Sequence, residues 1–355
     1  MERMNREQFY TAMANLGEDQ LRKALWNLYW RGAAPVRERI EAELAPPESR
    51  AQPRSKVASV DPAAVLHEVG DFIALARSGA YMAGDRRVSR TERSRWRFTF
   101  KRLLSESRQA LLAPDNAASA AALTALLDFS CRLRDYDYFH SPDPVEAAGL
   151  VFSDEVALLW GRILQQEGFP VFAKVAAGQF VRWESPYGWT RSGFGRIGEK
   201  ETTLTDVLVT MLPVPDTWVT FAGCYLTALD ELKSPAPRSP SRNYSDLTRD
   251  QRTRALARWH LMLLDRFIDT DDEDFLDRLA NHPELGGPEL TYFQARLAHR
   301  RGDTDRAGVL IHESLSKLPG HEGFLDFAQE IGATMPARAR EITTERRRYQ
   351  QLPPQ

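Results

Sequence analysis

Apolar positions recur at three- and four-residue spacing along most of this chain. Leu21, Ala24, Leu25, Leu28 and Tyr29 form one stripe, and Leu123, Leu126, Leu127 and Cys131 form another. That period gathers side chains on one face of an α-helix. The punctuation agrees. Gly32 ends the first stripe, and Pro35 opens the next helix. Asp143 and Pro144 read as N-cap and N1 of a helix that runs to Gly168 as its C′ residue, and Pro215 opens a further one. The run FPVFAKVAAGQFVRWE looks strand-like, but its spacing fits a helix as well. Alternating strands joined by Asn-Gly or Asp-Gly turns are absent. The expectation is an all-α fold.

Two proline-rich polar stretches, APPESRAQPRSKVASVDP and KSPAPRSPSRNYSD, contain few large apolar residues. Such segments bury too little apolar surface to offset the entropy of ordering, so they read as linkers. The expected organisation is an N-terminal helical unit over 1–44, a linker over 45–62 and a central all-α domain over 63–232. A second linker over 233–246, a C-terminal unit over 247–334 and a charged tail over 335–355 follow. The N-terminal helices are too few to be stable alone and are expected to dock on the chain or on a partner.

The clearest pattern lies between Pro288 and Pro319, in PELTYFQARLAHRRGDTDRAGVLIHESLSKLP. Two amphipathic segments flank a tight RRGDTD turn. Ala295 and Ala307 would let two helices approach closely, and Pro319 would end the second. This unit resembles a tetratricopeptide (TPR) repeat. The matching positions are Ala295, the Gly302-Asp303 turn, Ala307 and Pro319. Thr291 departs from the family's large apolar residue, and Gly308 weakens the second helix by about 1 kcal/mol. HEGFLDFAQEIGA reads as the first helix of a following unit, and RALARWHLMLLDRFIDTDDEDFLDRLANHPE as a preceding helix pair. The resemblance implies a multi-helix array, with a helical-repeat C-terminal unit, that serves protein contacts. On that reading Tyr292, Arg296, His299 and Arg300 present the protein-binding face.

Composition adds bounds. With 43% apolar and 27% charged residues the chain is of ordinary globular type, and a net charge of -2 draws it to neither nucleic acid nor membrane as a whole. Cys131 and Cys224 sit in apolar helical contexts and read as buried thiols. The N-terminus lacks the apolar core of a secretion signal, and no apolar run is long enough to span a bilayer, so the expected compartment is the cytoplasm.

Four stretches invite a chemical reading. Gly193, Gly195 and Gly198 spell G-x-G-x-x-G, but the preceding WESPYGWTRS is a loop and not the strand that a dinucleotide site needs. The loop still mixes aromatic and basic residues, and Tyr187, Trp189, Arg191 and Arg196 form a candidate contact surface. From Asp85 to Arg102 there are eight basic residues against two acidic ones, interleaved with Trp96, Phe98 and Phe100. Arg86, Arg87, Arg90, Arg93, Arg97 and Lys101 are therefore candidate nucleic-acid contacts. Their bland alternative is the solvated face of an amphipathic helix. Asp135, Asp137, His140 and Asp143 do not match a ligand spacing, and DTDDEDFLDRLA lacks the glycine and glutamate of a calcium loop. No hydrolase, metalloprotease or P-loop signature occurs, and neither a cofactor nor a metal is expected. The leading expectation is a non-catalytic scaffold binding another protein. A nucleic-acid-associated protein using 86–102 comes second, and an enzyme with a site near His140 and the 187–200 loop third.

Overall fold

The computed structural model describes residues 10–11, 13–14, 16–31, 40, 60–82, 85–113, 117–133, 136–185, 196–232, 243–268 and 273–350. All the regular structure among them is helical. The chain divides into two compact units, Met1–Val60 and Asp61–Gln355. In the first, helix α1 spans Glu18–Arg31 with Glu18 and Asp19 in its opening turn, where the helix dipole favours acids. Trp26 stacks on Tyr29 and on Trp30, each at 5.7 Å between centroids. The expected boundary at Gly32 and Pro35 and the linker over 45–59 lie outside the described residues.

The second unit opens with α2 (Pro62–Arg77), α3 (Arg90–Leu111) and α4 (Ala117–Arg132). Asp61 caps α2 by accepting from the Ala63 amide at 3.0 Å, with Pro62 at N1. Ser89 and Glu92 close a reciprocal capping box on α3. These helices pack pairwise on one another, around Phe72, Phe100, Phe129 and Phe139. Trp96 lies flat on Phe139 at 4.0 Å.

The single helix expected from Asp143 to Gly168 is two: α5 (Pro144–Ala148) and α6 (Phe152–Glu167). Gly149 adopts φ +65° and ends α5 in the left-handed conformation. Its amide bonds the Glu146 carbonyl, and the Leu150 amide bonds the Val145 carbonyl, which is a Schellman closure. A glycine read as a helix interior is thus a C-cap. The strand-like run is helix α7 (Phe169–Trp183). After α8 (Leu204–Thr210) and α9 (Pro215–Asp230) comes α10 (Asn243–Phe267), so the expected linker's last residues, 243–246, already belong to a helix. Residues 233–242 lie outside the described residues.

Trp259 of α10 is fully buried against Phe180 of α7 and Trp218, Phe221 and Tyr225 of α9. Aromatic burial on this scale is the largest apolar contribution a single residue makes to a core. The remaining helices are α11 (Glu273–Ala280), α12 (Gly287–Arg300), α13 (Thr304–Lys317), α14 (Glu322–Glu330) and α15 (Ala337–Gln350). Helix α10 packs on α12, α12 on α13, and α13 on both α14 and α15. Ala295 and Ala307 are wholly buried, Gly302 takes φ +83° in the turn, and Asp303 caps α13. Cys131 and Cys224 are not joined in a disulfide, and both are half-buried where full burial was expected. Among the described residues no single helix is long and apolar enough to cross a membrane.

Candidate functional site

A cleft of about 600 Å³ opens where α7, α8, α10, α12 and the α13–α14 turn converge. Glu184, Ser185 and Thr203 form one wall, Arg254, Ala255, Ala257 and Arg258 of α10 form the floor, and Glu289 of α12 with 318–321 forms the far wall. Small alanines and Gly320 leave the room, and long charged side chains edge it.

Each charged group has a defined partner. Glu184 stands at the C-cap of α7 and is buried. Its carboxylate accepts from the amides of Ser185 (2.8 Å), Leu204 (3.1 Å) and Thr205 (2.7 Å), and from the Thr205 hydroxyl (2.9 Å). It therefore joins the end of α7 to the start of α8, whose orphan amides need an acceptor. Burial pushes its pKa up, although all four hydrogen bonds pull the other way. Arg254 donates to Glu289 Oε1 at 2.8 Å, and Glu289 Oε2 is buried with no hydrogen-bond partner. Arg258 pairs with Asp206 of α8. His321 stacks on Phe324 at 3.9 Å, and burial lowers its pKa. The cleft thus carries polar groups of both signs and no surplus of either.

The residues expected to form the protein-binding face lie on α12 with Glu289 but do not line this cleft. Tyr292 is buried against Phe324 and Phe327 at 4.7 and 5.7 Å. Arg296 donates to the Tyr292 hydroxyl at 3.2 Å and covers the Phe327 ring at 5.0 Å. His299 meets Phe327 edge-on at 5.6 Å, and Arg300 bonds Asp265 of α10 at 3.0 Å. These four mostly hold α12 to α14 and α10.

The basic segment also divides. Arg87 is clamped to Asp85 and to the Ser78 carbonyl, and Arg86 is exposed. Arg90, Arg93 and Arg97 line a second cavity, of about 430 Å³, together with His140. Lys101 runs beside Gly149. Arg196 is exposed next to Ile197, whose amide donates to Glu146 at 2.9 Å. Tyr187, Trp189 and Arg191 lie outside the described residues. Asp143 caps α5 as its sequence context predicts. Among the described residues no group of three His, Cys, Asp or Glu side chains forms a metal-binding arrangement.

No local sequence signal marks the cleft, because Glu184, Arg254, Arg258, Glu289 and His321 are spread over 138 positions and meet only through helix packing. Comparison with protein-family models, with curated proteins and with solved structures found no match.

Proposed function

We propose that this chain is a non-catalytic helical-repeat scaffold that holds an extended segment of a partner protein in the cleft along α10. The observation that carries the reading is the cleft's balanced lining. Arg254 faces Glu289, Arg258 faces Asp206, and Glu184 is occupied by α8. A polypeptide backbone offers donors and acceptors in equal number, so it suits such walls better than a polyanion does.

The helix order supports it. Taken two by two in chain order, α10–α11, α12–α13 and α14–α15 succeed one another; α10 packs on α11 and α12, α12 on α13, and α13 on α14 and α15. Stacking of this kind is how TPR-like repeats bury a continuous core. The TPR-like positions Ala295, Gly302 and Ala307 fall in the middle pair.

The test is selection of a random peptide library on the full chain, followed by binding to the Ala257→Trp variant. Ala257 is half-buried in the cleft floor, so the indole fills the space without entering the core. Selected peptides should lose binding to the variant. Peptides that bind both forms equally, or no enrichment at all, would refute the proposal.

A further inference from the structure

We propose a second site, independent of the cleft: the cavity between the start of α3 and the 139–147 segment binds a small phosphate monoester. The cavity holds about 430 Å³ and is lined by Arg90, Arg93, Arg97, His140, Ser94 and Ser141 among others. That volume is of the size that small-molecule sites occupy. Positions 90, 93 and 97 are spaced by three and four residues, which brings three arginines to one face of the helix, the Arg97 guanidinium resting over the exposed Phe98 ring at 5.0 Å.

Among the described residues no carboxylate lines this cavity. The nearby acids are engaged elsewhere, Asp85 with Arg87 and Glu92 in the capping box at Ser89. Other arginines of the same stretch are neutralised. Arg102 pairs with Glu68 and Glu106, and Arg108 with Glu155. Among the described residues Arg90, Arg93 and Arg97 form no salt bridge, although Asp85, held by Arg87, is near enough for Arg93 to feel its charge. Arg93 spends one N–H on the Met82 carbonyl at 3.1 Å, which fixes its guanidinium at the cavity and leaves its other donors unspent.

The walls are preformed. Trp96 is buried flat on Phe139, one residue from His140, and the Ser141 amide bonds the Phe139 carbonyl at 2.8 Å. Guanidinium forks match the oxygens of a phosphate in pairs, and the Ser141 hydroxyl adds a neutral donor, whereas the Ser94 hydroxyl is spent on the Thr91 carbonyl at 2.8 Å. The chemistry favours a compact dianion over a polynucleotide, because Arg90, Arg93 and Arg97 line one cavity of limited volume, while Arg87 and Arg102 on either side of them are held by Asp85, Glu68 and Glu106.

The experiment is calorimetric titration of the full chain with inorganic phosphate, ribose 5-phosphate and ribose, at ionic strength held constant with sodium chloride. Both phosphates should bind saturably, the ester more tightly, and ribose not at all. The double variant Arg90→Gln/Arg97→Gln alters two exposed side chains and should keep the native circular dichroism while weakening binding by about tenfold or more. Arg95→Gln, on the same helix but outside the cavity, should bind as the parent does. Absence of saturable phosphate binding, or equal loss in Arg95→Gln, would overturn the assignment. So would binding of a single-stranded oligonucleotide alone with a steep salt dependence, which would make the helix a nucleic-acid surface.

Discussion

The Tyr225 hydroxyl and His260 Nε2 stand 2.7 Å apart, bridging α9 and α10 where solvent reaches almost nothing of either residue. Burial pushes the tyrosine pKa far up. It holds the imidazole down to about 3, with the charge of His282 adding to the fall. His260 Nδ1 is buried without a hydrogen-bond partner. The pair is a contact between two neutral groups, and it persists only while both stay neutral.

Acid should loosen it. An unfolded histidine titrates near 6.5, so below that pH the unfolded chain takes up a proton that the folded chain refuses until about pH 3. Stability therefore falls as pH drops through this window, by at most about 1.4 kcal/mol per pH unit. Glu184 acts in the opposite sense. Its folded pKa is raised, so its contribution is fully present below its unfolded value and is lost as pH rises through the folded one. The expected outcome in scanning calorimetry is a melting temperature that declines from about pH 6.5 to 4 in the parent and declines less in His260→Phe. Parallel profiles would mean that His260 carries no linkage.

Glu184 should matter more than its position at a helix end suggests. Glu184→Ala strands the amides of Leu204 and Thr205 and the Thr205 hydroxyl in a buried site, at a cost of about 3 kcal/mol or more. Glu184→Gln keeps one acceptor oxygen and should lose less. Urea denaturation at neutral pH gives both values, and hydrogen exchange of the α8 amides should accelerate in the alanine variant. A loss within about 0.5 kcal/mol would show that water replaces the carboxylate.

Two glycines separate backbone strain from collision. Gly302 has φ +83° and open space around it, so Gly302→Ala should cost only the left-handed strain, about 1 kcal/mol. Gly287 has φ +81°, and a Cβ there would come within 2.8 Å of the Asp250 carboxyl carbon and 3.1 Å of its Cβ. Gly287→Ala should therefore destabilise clearly more than Gly302→Ala in the same denaturation experiment. Equal losses would mean that Asp250 turns aside at no cost.

Helix content and the α12–α13 pair were legible because their signals are local. Stripe periodicity, Asp303 as a cap and Gly302 in a turn all act within a few residues of one another. The break at Gly149 was missed because a glycine in an apolar run scores equally as a weak helix interior or a C′ residue. What decides is the packing of α5 beside α3. Tyr292 and Arg296 were assigned to a protein-binding face of α12, but sequence spacing does not say what covers a face, and Phe324 and Phe327 of α14 pack on these two. The cleft was illegible for the same reason on a larger scale. Glu184 and His321 have no sequence relationship until the helices that lie between them in the chain are packed.

Trp259 carries one last consequence. It reaches from α10 into an aromatic cluster supplied by α7 and α9, which precede 233–242 in the chain, while α10 follows that stretch. The adhesion between the two sides is thus non-covalent and largely apolar. A chain severed anywhere in 233–242 should survive as a reconstituted complex, its fragments recognising each other across the tryptophan, whereas either fragment alone would leave a wide oily surface bare. This position is a ready-made split point for a fragment-complementation reporter.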